Sequence, residues 1–139
     1  MNSEIKFRGI SIKTGEWVYG SLLTNRLGFR ICIMINGYIN DDTNFYKIRV
    51  KSKTVGQFTG LYDRNGKEAY YGDIIQYVNT NGDVMIRKLE YDNEMCCLTI
   101  GGMEYSRLRD SGLTQSSNIN FLIIGNIHDN PELLPIKIN

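Results

Sequence analysis

Histidine is almost missing from this sequence. It occurs once, at His128, so any catalytic triad of the Ser–His–Asp kind has a single candidate base. Cysteine is scarce too, with Cys32, Cys96 and Cys97 only, and none of them forms a C-x-x-C pair. A zinc ribbon is thereby excluded. Cys96 and Cys97 are adjacent; on a strand such neighbours point to opposite faces and share no site. The expectation is reduced, structural thiols. Neither sign of charge dominates. Lys and Arg total 16 against 15 for Asp and Glu, a net charge of +1. That balance excludes a strongly basic nucleic-acid protein and an acidic tail, though not a local patch. Long apolar runs are absent as well. The longest is Ile31–Ile35, far short of the ~18 residues that cross a bilayer. The opening MNSEIKFRGISIKTG alternates polar and apolar and has no signal-peptide core. The expectation is a cytoplasmic protein with no membrane partner.

What is present reads as a folded β protein. The 139 residues suit one domain, or one domain with a small appendage. With 42% hydrophobic and 22% charged residues, general disorder is excluded. The dominant period is two. Ile5 to Ile10 alternates, Lys13-Thr14-Gly15-Glu16 turns, and Trp17-Val18-Tyr19 returns as an opening hairpin. Strands are predicted at Phe29–Ile35, Phe45–Val50, Ile74–Val78, Val84–Tyr91, Met95–Ile100 and Ile119–Ile127. Asn36-Gly37 offers the positive-φ pair of a tight hairpin turn, and Asn65-Gly66 is another hairpin signal. Met103–Arg109 is a weaker strand, and a short helix at Arg107–Leu113 is an alternative there. A single helical turn is expected at Asp129–Leu134, capped by Asn130 with Pro131 at its first position. The fold class is mainly β, β-rich α+β at most.

The central stretch TVGQFTGLYDRNGKEAYYGD carries Gly56, Gly60, Gly66 and Gly72. So many glycines describe turns and short strands. Gly56 and Gly60 are not a phosphate loop, because no G-K-[ST] follows and no strand-to-helix context surrounds them. Gly72 lets the chain reverse, and Asp73 is placed to bond nearby backbone N–H groups and hold the bend. Asp63, Asn65 and Glu68 suggest a calcium loop only superficially. Counting from Asp63, the sixth and twelfth positions are Glu68 and Ile74, where the loop needs Gly and Glu.

Three segments together resemble the YopX family. They are Lys6-Phe7-Arg8-Gly9 with Trp17-Val18-Tyr19-Gly20; Thr54 to Leu61, Asp63 to Glu68 and Tyr70 to Ile75; and Ile124-Gly125-Asn126-Ile127-His128-Asp129-Asn130-Pro131-Glu132-Leu133-Leu134. Ala69 departs from the family form, where Ile or Val is commoner. The resemblance implies a phage or prophage origin. It also implies an SH3-type barrel or roll over residues 54–139, preceded by an N-terminal β-hairpin region over 1–53. It further implies homo-oligomeric assembly in some members, and no established activity. It carries over no catalytic residue, cofactor or metal.

The expected role is therefore a non-catalytic, self-associating module that binds a phage or host protein. Two alternatives stand beside it. Lys47, Arg49, Lys51 and Lys53 occupy every second position. An extended chain would set them on one face ~6.6 Å apart, a spacing suited to a nucleic-acid backbone. The opposite face, Tyr46, Ile48, Val50 and Ser52, would lie on a core. The plainer account is a lysine-rich edge that prevents sheet-to-sheet pairing. The second alternative is an enzyme using His128 with Asp129, or with Cys96 or Cys97.

Overall fold

A computed structural model describes residues 5–24, 31–36, 45–104, 114–115 and 118–134. Thirteen strands and two three-residue 3-10 turns are found among them. The strands are β1 (Phe7–Ile10), β2 (Trp17–Thr24), β3 (Ile31–Asn36), β4 (Phe45–Arg49), β5 (Gly56–Tyr62), β6 (Glu68–Tyr70), β7 (Asp73–Val78), β8 (Val84–Asp92), β9 (Cys97–Ile100), β10 (Met103–Glu104), β11 (Thr114–Gln115), β12 (Asn118–Ile119) and β13 (Leu122–Asn126). The mainly β class holds. The 3-10 turns are Ser52–Thr54 and Pro131–Leu133. No helix among the described residues is long and apolar enough to cross a membrane. The chain divides into two compact units, Met1–Phe58 and Thr59–Asn139, so the division falls inside β5.

In the first unit the antiparallel order is β4-β3-β2-β1-β5. The expected opening hairpin is there, with Ile10 opposite Trp17 and Phe7 opposite Gly20. Its turn is built by Ser11. The buried Ser11 hydroxyl accepts the Lys13 and Thr14 N–H groups, both at 3.2 Å, and Gly15 closes the loop at φ +75°. The sheet curls until the end of β4 meets the end of β1. Ile12 N–H donates to the Arg49 carbonyl (3.0 Å) and Lys51 N–H to the Ile10 carbonyl (2.8 Å). The close approach needs Gly9, since a Cβ there would stand 3.0 Å from Val50 Cβ. Arg8 shares a face with buried Ile10 and is only 6% exposed. Its guanidinium lies 4.4 Å from the centre of the Trp17 ring, a cation–π contact that offsets part of the burial cost.

In the second unit, β5 continues and pairs with β6. The Asn65-Gly66 hairpin is present, with Gly66 at φ +82°. A five-stranded antiparallel sheet follows in the order β10-β9-β8-β7-β13, with a separate β11–β12 pair. One core cluster joins Ala69, Ile75, Tyr77, Leu89, Ile100 and Phe121. Alternation explains it: Ile75 and Tyr77 share one face of β7, and their cross-strand partners Arg87 and Met85 share that face of β8. The expected closed SH3-type barrel is not found. Among the described residues β10 and β13 end the sheet, and no pairing joins them. The boundary near 103–119 includes Arg107–Leu113, which lies outside the described residues, as does Gly37 of the Asn-Gly turn.

Two stretches of the sequence resemblance form one device. Gly72, at φ +98°, accepts Ile127 N–H on its carbonyl (2.9 Å) and donates its own N–H to the Leu89 carbonyl (2.8 Å). Buried Asp73 accepts Tyr70 N–H at 2.7 Å, which holds the bend. Asn126 organises the closing loop. Its Oδ1 accepts the His128 and Asp129 N–H groups, both at 2.9 Å. Asn130 stands at the N-cap of the 3-10 turn with Pro131 next, but makes no cap bond. Its Oδ1 accepts Asn126 N–H instead (3.3 Å).

Candidate functional site

The curl of the first unit opens a groove of about 510 Å³, within the ~300–1,000 Å³ range of binding clefts. The Ser11–Glu16 turn supplies one wall, with Val18 of β2 beside it, and Lys47, Ile48 and Arg49 of β4 supply the other. Neither wall exists without the other. The serine-capped turn fixes the first, and the Gly9–Val50 contact swings β4 onto it. Ile12, Val18 and Ile48 make the groove apolar, and Ile12 is 51% exposed to solvent. Lys13, Lys47 and Arg49 give it three cations against the single carboxylate of Glu16. Lys13, Glu16, Lys47 and Arg49 are all exposed.

The row of four cations divides. Lys47 and Arg49 lie on β4 and line the groove. Lys51 precedes the 3-10 turn and Lys53 lies within it. The extended geometry that would align all four therefore stops short. The cause is Thr54, whose hydroxyl accepts Ile10 N–H (2.9 Å) and donates to the Lys51 carbonyl (2.6 Å), folding the chain into a turn. On the opposite face Val50 is buried as expected, but Ser52 is exposed.

His128 is half-buried in the closing loop. A Cβ on Gly72 would stand 3.8 Å from its Nε2, so the imidazole lies against the central glycine bend. Cys96 is not on a strand. It occupies the β8–β9 turn at φ +52°, and β9 starts at Cys97, later than the sequence suggests. Cys96 Sγ donates to the Asn93 carbonyl at 3.4 Å. Tyr71 and Tyr91 meet edge-to-face near this turn, ring centres 5.8 Å apart. Burial, then Tyr91 and Cys97, push the Tyr71 hydroxyl above its ordinary pKa. Among the described residues no cluster of three His, Cys, Asp or Glu is arranged to hold a metal.

The central glycines act on the backbone. Gly60, Gly66 and Gly72 take positive φ, whereas Gly56 is buried where β5 pairs with β1. Sequence reasoning found Lys47 and Arg49 but missed Ile12, Lys13, Glu16, Val18 and Ile48. The lysine-threonine-glycine turn was legible; its docking on β4 was not.

Comparison with known proteins agrees with this architecture. The family model described as YopX protein matches residues 6–135. The crystal structure of protein EF1440 from Enterococcus faecalis is similar in fold, with a TM-score of 0.57 at 22% sequence identity, over 96% of this chain and 100% of that one. No curated protein matches the chain.

Proposed function

Because this chain belongs to the YopX protein family, we propose that it is a phage- or prophage-derived accessory protein that works by binding protein, its own copies included, and not by catalysis. Kinship supports the phage origin, and the alternating opening of the sequence supports the cytoplasmic setting. The binding role rests on one observation, the open groove whose apolar lining of Ile12, Val18 and Ile48 carries Lys13, Lys47 and Arg49. Open sheet edges support self-association, since an edge strand presents unsatisfied N–H and C=O groups. The test is capture of partners by a tagged full-length chain, repeated after nuclease treatment. A protein retained through nuclease, and lost on Lys47→Glu with Arg49→Glu, supports the reading. Loss of every partner on nuclease treatment refutes it.

One observation favours a second reading. Lys47 and Arg49 remain exposed and adjacent on one face of β4, as a phosphate contact requires. Binding of this kind would fall steeply with salt and would disappear with the same two substitutions.

A further inference from the structure

The chain itself carries a segment whose chemistry matches the groove. Between Leu89 and Ile100 there is no Lys or Arg, while Glu90, Asp92 and Glu94 are all acidic; Lys88, just before this stretch, pairs with Glu90 (Nζ to Oε2, 3.4 Å). The β8–β9 turn within it has a fixed shape. Asp92 Oδ1 accepts the Glu94 and Met95 N–H groups, both at 2.9 Å, and Cys96 completes the turn in the left-handed region. Glu90 and Glu94 are exposed. Met95 is 42% exposed at the tip, and Tyr91 is 45% exposed beside it. A large apolar side chain is thus held in water between carboxylates. Methionine suits an irregular channel because its unbranched chain adapts to the space available.

Resting on the protein-binding reading above, we propose that the groove of one copy receives the β8–β9 turn of a second copy. Met95 enters between Ile12, Val18 and Ile48, and Glu90 and Glu94 face Lys13, Lys47 and Arg49. The charges are complementary, three cations and one carboxylate on the groove against three carboxylates and the single cation of Lys88 on the tip hairpin. The turn is ordered before it binds, so little conformational entropy is lost on docking. Groove and tip are different surfaces, so the contact is head-to-tail and generates rings or open chains. The contact is assigned a weak dissociation constant of ~10–100 µM.

The test is light scattering on the full chain from ~5 to ~300 µM, which brackets that range, at ~0.05 M and ~0.5 M salt. Three variants are compared: a groove reversal (Lys47→Glu, Arg49→Glu), a tip reversal (Glu90→Lys, Glu94→Lys) and Met95→Ser. Thermal melts show which variants keep the fold. The wild type should gain mass with concentration, and salt should reverse the gain. Each charge reversal alone should stay at the single-chain mass, and Met95→Ser should weaken assembly at least tenfold. An equimolar mixture of the two reversals should assemble, because each then meets its complement. A folded reversal variant that keeps the wild-type mass curve overturns the pairing while leaving the protein-binding reading intact. So does a mixture that stays monomeric when both components are folded. A wild type that is monomeric throughout, yet captures another protein through the groove, shows that the occupant is not a second copy.

Discussion

Asp63 is the residue through which the second unit can be tested most sharply. Its carboxylate is 6% exposed and accepts three backbone N–H groups. Oδ1 takes those of Asn65 and Lys67, both at 2.9 Å, which fixes the β5–β6 hairpin. Oδ2 takes that of Ile123 at 3.1 Å, which ties the hairpin to β13 across 60 positions of sequence. Burial pushes the carboxyl up. The N–H groups of Lys67, Ile123 and Asn65, with the Lys67 charge, outweigh it and hold the carboxyl below the ordinary aspartate value of 3.8. Asp63→Asn keeps an acceptor for the hairpin but turns an amide NH2 toward the Ile123 N–H. One charge-assisted bond becomes a donor facing a donor, a loss of about 2 kcal/mol. Asp63→Ala removes both acceptor oxygens and with them all three bonds, and costs about 3 kcal/mol, because hairpin N–H groups near the surface regain water. For a chain of this size the Asn variant should melt about 5–10 °C lower. The pH dependence has a definite sign. A folded pKa below the unfolded one means that the unfolded chain binds the proton more readily, so stability rises with pH through this window. The wild-type advantage over Asp63→Asn should be full above about pH 5 and shrink as pH falls through 3.8 and below. Calorimetric melts from neutral pH downward measure it. An Asn variant that melts with the wild type at pH 7, or a gap that ignores pH, refutes the reasoning.

Three further substitutions test other parts of the account. Gly125→Ala places a Cβ 2.6 Å from Asn130 Oδ1, so the closing loop should be displaced at a cost of about 2 kcal/mol, read by denaturant unfolding. Gly9→Ala drives a Cβ to 3.0 Å from Val50 and should cost about 1–3 kcal/mol; adding Val50→Ala should recover part of that, giving a double-mutant coupling of at least about 0.5 kcal/mol. Thr54→Val keeps the shape but strips the hydroxyl from Ile10 N–H and the Lys51 carbonyl, costing about 1–2 kcal/mol and shifting the amide resonances of residues 10 and 51–55.

The sequence revealed whatever local chemistry decides. The YDRNGKE hairpin was legible because Asn-Gly demands a turn and Asp63 can bond the turn's own amides. In the Asn79–Asp83 turn Asn79 Oδ1 plays the same part, accepting the Asn81 and Asp83 N–H groups at 3.0 and 2.9 Å. The Gly72-Asp73 bend was legible from a glycine followed by a short acceptor. What failed depends on distant contacts. The four alternating cations share a face only if the chain stays extended to Lys53, and nothing near them shows that Thr54 is captured by Ile10, 44 positions away. The burial of Arg8 was not legible, because its cover, Trp17, arrives only when the hairpin closes. The groove was invisible because its two walls are joined by the Gly9–Val50 contact, and neither residue lines it. The cysteine pair was placed on a strand, because Cys96 carries no sign of its left-handed turn.

The docking surface itself is best tested by amide hydrogen exchange on the wild-type chain at ~300 µM and again at ~3 µM, either side of the expected dissociation constant. Concentration should slow exchange at residues 11–18 and 47–49 and at residues 90–96, with the remaining amides unchanged. Protection that is spread evenly over the chain, or confined to strands away from those segments, would contradict it.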